Sequence, residues 1–388
     1  MTDGYSEATK VVHSGEAPQT LPQTVGPPVQ RGSTVLLPNA AALYDSRLTT
    51  YGRSGLTTQE TLASALAELE GATTVRLFPS GLAAVVGSLL AVLKAGDEVL
   101  VTETIYKPTR RFCDNVLKRY GVRVTYYTAR ATPAELMAMA GDSTRLIVME
   151  SPGSLTFELQ DAPGIAAAAR ERGILTLMDN TWAAGWFFKP LAHGIDISVQ
   201  ALTKYVGGHA DVFMGCAATR DADIGAALDH AVWDFGWSVA PDDAYQILRG
   251  LRTLPTRLAR HQDSAMKVAT WLQDQPEVFR VLYPALPSSP DHALWRRDYS
   301  GAAGLFAVVF KPVPADATDR FLDALRLFGL GFSWGGFESL ALSADPQLDV
   351  REHGSPFDGP VVRLNIGLED PADLIGDLRA GIDAMGAG

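Results

Sequence analysis

The sequence predicts an α/β chain in which a largely parallel sheet, covered by helices on both faces, is followed by a smaller α+β unit. Three observations carry that prediction. Short apolar runs alternate with helical periodicity from about residue 56 to residue 250. Beyond residue 250 a long amphipathic stretch precedes three more strand-like runs. The first fifty or so residues carry Pro22, Pro27, Pro28 and Pro38 with little periodicity, and read as an extended arm. The expected divisions are 1–55 for the arm, 56–250 for the large domain and 251–388 for the C-terminal one.

The elements follow in order. Leu62, Leu66 and Leu69 keep helical spacing, and Gly71 stops that helix. A second helix follows Ser80 and Gly81, with Val85, Val86, Leu89, Leu90 and Leu93 inside and Gly96 as its cap. Glu98 to Thr102 is an apolar strand. Thr132, Pro133 and Glu135 form a capping box with proline at the first helical position. Leu146 to Met149 reads as a strand, Ala162 to Arg172 as a helix and Ile174 to Met178 as a buried strand. The second unit holds a helix from Arg257 to Leu272, strands at Gly304 to Phe310, Leu340 to Ser343 and Val361 to Ile366, and a closing helix begun by Asp370 and Pro371. No internal repeat or low-complexity tract interrupts them.

Composition narrows the function. Hydrophobic residues make up 47% and charged residues 20% of 388, the balance of an ordinary globular protein. No run of eighteen apolar residues suggests a membrane span. The opening MTDGYSEATKVVHSGE lacks the basic and apolar segments of a secretory signal, so a cytoplasmic protein is expected. A net charge of −11 argues against nucleic acid. Cys113 and Cys216 offer neither metal-ligand spacing nor a disulfide framework, and no metal is expected.

Three places carry chemistry. Asp179 follows the apolar run Ile174 to Met178, at the carboxyl end of a parallel strand, where open α/β sheets place ligands. Taken alone it reads better as a cap or ion-pair partner; the alternative is a counter-ion for a cationic cofactor ring. Lys204, in QALTKYVGGH, follows the apolar run Ile195 to Leu202, beside Thr203 and before Gly207 and Gly208. Partial desolvation there lowers an amine's pKa and makes it a nucleophile toward carbonyls. Most single lysines are surface residues; the pairing with a carboxylate at the preceding strand end shifts the balance. Ser80-Gly81-Leu82 opens a helix whose backbone N–H groups suit an anion, although Ser-Gly is also a common cap. Gly329, Gly331, Gly335 and Gly336 lack the GxGxxG spacing, and no GxxxxGK[ST] loop occurs, which argues against nucleotide sites.

The segment MDNTWAAGWFFKPLAHGIDISVQALTKYVGGHAD, with YGRSG early and FSWGGFESL late, resembles the cysteine/methionine-metabolism family of pyridoxal-phosphate (PLP) enzymes. The likeness runs from about Thr50 to the C-terminal helix, and SWGG is closer to the β-lyase branch. The resemblance implies the aspartate-aminotransferase-like fold, type I. It implies that Lys204 is the Schiff-base lysine and the base at Cα, and that Asp179 pairs with the ring nitrogen. Gly81, Leu82 and Thr203 would hold the phosphate, completed by Tyr51 and Arg53 of a neighbouring subunit. Tyr106, in ETIYKPT, would stack on the ring and assist proton transfer. Arg363, in VVRLNIG, would grip the substrate carboxylate, with Ser333 and Trp334 lining the substrate side.

One departure is Ala201, where family members often carry a small hydroxyl residue, so that one phosphate contact is missing or passes to water. Another is Leu82, harmless if only its N–H is used. Trp182, Trp186 and Phe187 read as core or wall residues, His209 as a structural hydrogen-bonding histidine, and Tyr205 as a packing residue. A core role competes for Tyr106.

The implied reaction is α,β-elimination of an amino-acid thioether such as L-cystathionine, giving homocysteine, pyruvate and ammonia, within a homo-oligomer of shared sites, a tetramer in expectation. The nearest rival is a γ-acting relative on the same scaffold. A non-enzymatic binding protein is the rival of another class, and it has no use for a Schiff-base lysine.

Overall fold

The computed structural model describes residues 4–15, 24–45, 47–352 and 354–386. The chain does not begin as a purely extended arm. Ser6 caps a short helix, α1 (Glu7–His13), by accepting from the Thr9 N–H. Pro22 lies outside the described residues. The segment of Pro27 and Pro28 is tied to the next helix, since the Thr58 hydroxyl donates to the Pro28 carbonyl and accepts from the Gln30 N–H, both at 2.8 Å. Helix α2 (Thr57–Glu70) ends where expected, at Gly71 in the left-handed conformation.

The large sheet then forms from β1 (Thr74–Phe78), β2 (Glu98–Thr102), β3 (Arg123–Tyr127), β4 (Thr144–Glu150), β5 (Leu175–Asp179), β6 (Ile197–Ala201) and β7 (Gly215–Thr219). Its order is β1-β7-β6-β5-β4-β2-β3. Five neighbouring strands, β3, β2, β4, β5 and β6, run parallel; β7 is antiparallel to both β6 and β1. Between the strands lie α3 (Gly81–Val92), α4 (Lys107–Phe112), α5 (Pro133–Met139) and α6 (Ala162–Glu171), with α7 (Ala222–Asp234) after β7. Strand periodicity sorts the core into two layers. Val99 and Val101 of β2 pack with Leu89 of α3 and Leu228 of α7. Leu100 between them packs on the other face with Leu66 of α2, Leu136 of α5 and Ile165 of α6.

One cap differs from the sequence reading. Helix α3 stops at Val92 with Leu93 extended at its C-cap. Gly96, at φ +92°, belongs instead to the following turn, closed by the Asp97 carboxylate on the Lys94 N–H at 2.9 Å. The buried strand of Asp179 also begins one residue later and ends one later than expected, so Asp179 is its last residue. The capping box at Thr132 forms as expected, with Glu135 and Thr132 bonded in both directions.

Residue 250 falls inside α8 (Pro241–Leu251), which leads through α9 (Leu254–Gln273) to the second sheet. That sheet comprises β8 (Val278–Leu282), β9 (Leu305–Phe310), β10 (Gly329–Leu330), β11 (Leu340–Ser343) and β12 (Val361–Asn365), in the order β10-β11-β12-β9-β8. Around it lie α10 (His292–Asp298), α11 (Ala317–Ala324), α12 (Asp345–Leu348) and α13 (Pro371–Met385). Every residue of β9 is buried. One continuous apolar cluster joins this sheet to the α2, α5 and α6 side of the large one, so the two sheets are packed together.

Asp377 of α13 fixes the turn that leads to the substrate-side segment. Its carboxylate accepts from the Arg326, Leu327 and Phe328 N–H groups at 2.8, 2.8 and 3.1 Å. Removing it leaves three partly buried donors without an acceptor, at about 1–3 kcal/mol for such a group and about 3 kcal/mol in all. Asp377→Ala should therefore lower the urea midpoint clearly, and Asp377→Asn by less. An unchanged midpoint for Asp377→Ala would mean that water already serves those donors.

Candidate active site

Parallel strands leave their carboxyl ends on one edge, and a short loop from each end can point a side chain into a common space. Glu150 and Asp179 are the paired last residues of β4 and β5. Two and three residues past Ala201, the end of β6, stand Thr203 and Lys204. Ser80 and the start of α3 follow β1 by one residue. These elements, with Leu305 and Arg363 of the second sheet and Trp334, enclose a cavity of about 240 Å³.

Lys204 is anchored by backbone on both sides. Its N–H donates to the Ala201 carbonyl at 3.1 Å and its carbonyl accepts from the Gly208 N–H at 2.8 Å. The close approach at Gly208 is to Arg257, whose buried guanidinium donates to the Tyr205, Val206 and Gly250 carbonyls; the glycine serves the loop's packing rather than the cavity. The Lys204 Nζ donates to the Ser333 Oγ at 2.5 Å and lies 5.2 Å from the centre of the Trp334 ring. Burial lowers its pKa to about 8, helped by the positive charge of Arg363 and opposed by Asp179.

Asp179 is pushed above the ordinary carboxylate range by burial, against the Thr181 N–H and hydroxyl that donate to it at 3.0 and 2.5 Å. Glu150 is pushed up further by burial and by the charge of Asp179 beside it; it accepts from the Tyr106 N–H at 2.7 Å. This places the Tyr106 ring over the cavity. Loss of water raises the Tyr106 phenol, as do the two carboxylates.

Arg363, 8% exposed, spends one donor on the Ser333 carbonyl at 2.7 Å. Among the described residues it makes no ion pair, and burial lowers its pKa to about 10. A guanidinium held so dry without a carboxylate is ready for one on a ligand. Ser333 occupies φ +77°, a conformation rarely held without constraint. The constraint is visible at Gly335, whose N–H donates to Asn365 Oδ1 at 3.0 Å; a Cβ there would meet the Tyr205 nitrogen at 2.9 Å. The SWGG glycine thus lets the C-terminal unit press on the lysine loop.

Of the residues singled out in the sequence, Gly81, Leu82, Tyr106, Asp179, Thr203, Lys204, Trp334 and Arg363 line this one cavity, and Ser333 touches Lys204. Tyr51 and Arg53 do not; Arg53 lies over Trp233, 4.6 Å from its ring centre. Trp182 is both core and wall: 5% exposed, it lines the cavity and donates to the Leu305 carbonyl. His209 bonds the Gly207 carbonyl, and Tyr205 is fully buried. Sequence reasoning missed Glu150, Thr181 and the wall of Ser154, Leu155 and Phe157. Glu150 had a signal, a carboxylate ending an apolar run as Asp179 does.

The helix start completes an anion cradle. Ser80 takes the Ala83 N–H with its hydroxyl and the Ala84 N–H with its carbonyl, leaving those of Gly81 and Leu82 without a protein acceptor among the described residues. A Cβ on Gly81 would fall 2.4 Å from the Ala201 Cβ, so at position 201 a small side chain packs directly on the helix start. Thr203 Oγ1 is engaged with Met214, whose N–H it accepts and whose carbonyl it donates to.

A flat aromatic aldehyde bearing a phosphate and a basic ring nitrogen has the three handles that such a cavity grips, and fold and site place the chain among the pyridoxal-phosphate enzymes. The sequence profile of the Cys/Met metabolism PLP-dependent enzymes matches residues 8–383, and the chain belongs to that family. It is 42% identical over 388 residues to a cystathionine β-lyase of Bordetella avium, covering 97% of each chain. It is 40% identical over 385 residues to the cystathionine β-lyase of Escherichia coli, covering 96% of this chain and 97% of that one. A cystathionine γ-synthase of Xanthomonas oryzae pv. oryzae, solved in complex with cystathionine, superposes with a TM-score of 0.92 at 32% identity over 99% of both chains.

An amine with a pKa near 8 gains its neutral, nucleophilic form as pH rises through that value. Cofactor-free protein should therefore capture pyridoxal phosphate faster from pH 6.5 to about 8.5 and then level off, followed by absorbance. A rate still climbing steeply toward pH 10.5 would show that Lys204 is not desolvated.

Proposed function

We propose that the chain is a carbon–sulfur β-lyase that eliminates the thiol from L-cystathionine, and from other cysteine S-conjugates, releasing homocysteine, pyruvate and ammonia. The observation that carries this reading is the meeting of Lys204, Asp179 and Arg363 in one desolvated cavity whose Ser333-Trp334 wall comes from the C-terminal unit. Similarity to curated β-lyases over nearly the whole chain supports it.

Pyridoxal phosphate, when bound, supplies an electron sink for the pair left at Cα. Lys204 would hold the cofactor and then, as the free amine, take the Cα proton. Asp179 would keep the ring nitrogen protonated, its own oxygen fixed by Thr181. Gly81 and Leu82 would hold the phosphate, with Tyr51 and Arg53 arriving from a second subunit; Thr203 would join them only by turning its hydroxyl proton away from the Met214 carbonyl. The exposed Leu36 and Tyr44 of the arm, each 93% accessible, support burial against another copy. Tyr106 would cover the ring and pass a proton to the leaving thiolate. Arg363 would clamp the α-carboxylate so that Cα–H points at Lys204, while Ser333 and Trp334 confine the thioether.

Product analysis decides between this reading and a γ-acting one, which the likeness to a γ-synthase keeps in view. L-Cystathionine should yield homocysteine and pyruvate in equal amounts; cysteine with 2-oxobutyrate would overturn the β-lyase reading. Two substitutions test the roles. Asp179→Asn keeps shape but not charge and should cost roughly 10²-fold or more in rate, whereas a loss under threefold would make Asp179 structural. Arg363→Lys should raise KM and lower kcat together, because an ammonium cannot reproduce the planar fork. A change in KM alone would reduce Arg363 to simple charge attraction.

A further inference from the structure

We propose that Trp233 is a positioning residue that holds Arg53 ready for the phosphate of a cofactor bound to the neighbouring subunit, an inference that rests on the reading of Arg53 as a cross-subunit phosphate ligand. Three observations carry it. The Arg53 guanidinium lies 4.6 Å from the centre of the Trp233 ring, and Nη1 donates to the Trp233 carbonyl at 2.9 Å. Among the described residues Arg53 makes no ion pair, so its donors beyond that bond remain for a ligand. Trp233 itself is 42% exposed, more than a tryptophan needs for packing alone.

The platform is also fixed to the phosphate helix. Trp233 is the penultimate residue of α7, and the turn after the helix folds Phe235 onto Trp237 at 5.0 Å. Trp237 then packs edge-on against Phe78 at 5.6 Å. Phe78 is the last residue of β1, two positions before Ser80, which caps α3. Helices α7 and α3 also share a core through Leu228 and Leu89. A flexible arginine loses rotamer freedom when it takes a phosphate, and a prior stack on a rigid ring removes part of that loss. The aromatic face attracts the guanidinium without neutralising it, which an aspartate would do.

The test is equilibrium dialysis of the full-length protein against pyridoxal 5′-phosphate and, separately, pyridoxal, which lacks the phosphate. Trp233→Leu should weaken pyridoxal phosphate about fivefold, the scale of an exposed cation–π contact, and leave pyridoxal unchanged. Trp233→Tyr keeps a ring and should bind nearly as the parent does. Arg53→Ala should lose at least about tenfold, as removal of a charged phosphate donor does, and adding Trp233→Leu to it should cost nothing more. A silent Trp233→Leu beside a damaging Arg53→Ala would overturn the inference and leave the reading of Arg53 standing. A silent Arg53→Ala would remove that reading and the inference with it. Equal losses for pyridoxal, or a further loss in the double variant, would show that Trp233 acts on the fold and not through Arg53.

Discussion

A primary amine taken out of water gives up part of its affinity for a proton, and burial brings Lys204 down to about 8. Two charges then pull in opposite directions, Asp179 restoring the proton and Arg363 repelling it. The same burial raises Asp179 and Glu150 and lowers Arg363. Four ionisable groups are thus each held away from their aqueous behaviour by one dry space. Their mutual spacing is set by the paired ends of β4 and β5, by the loop that follows β6, and by a β12 arginine flanked on both sides by paired strands. A charged ring and a carboxylate entering that space would meet partners already oriented and already short of water.

The C-terminal unit is part of this arrangement rather than an appendage. It contributes Arg363, Ser333 and Trp334, and it reaches the lysine loop only because Gly335 has no side chain to strike Tyr205. Leu155, Phe157 and Ser333 all hold positive φ around the cavity or on Lys204. Strained backbone gathered at one place is a cost that surrounding packing sustains, and here it shapes the walls on the substrate side. If Lys204 carries the cofactor, the wall built by this unit is where substrates and the choice of bond would be separated.

Much of this was legible in the sequence because buried parallel strands read as apolar runs, and the side chains that end or follow those runs meet in the cavity. Asp179 and Lys204 were found that way, and Glu150 could have been. Strand β7, GCAAT, was not legible, because its small residues answer to tertiary contact: a Cβ on Gly215 would lie 2.4 Å from the Ser80 carbonyl oxygen. The start of α3 packs that closely on β7, so the strand cannot carry the bulky residues that announce strands. Strand β3 was missed for another reason, since as an edge strand it keeps charged and half-exposed residues such as Arg123 and Thr125. Gly96 was assigned as a cap because glycine after a helix is the usual signal, whereas the helix had already ended at an extended Leu93. No pattern in one chain's sequence could pair Arg53 with Trp233, which lie 180 positions apart.

The central claim is that one particular amine, Lys204, carries the cofactor. Borohydride reduction of the holoenzyme, followed by proteolysis and mass mapping, tests it most directly. The account predicts a reduced pyridoxyl group on the peptide containing Thr203-Lys204-Tyr205 and on no other lysine. A label on a different lysine, or a cofactor that reduction fails to fix to the chain, would contradict it.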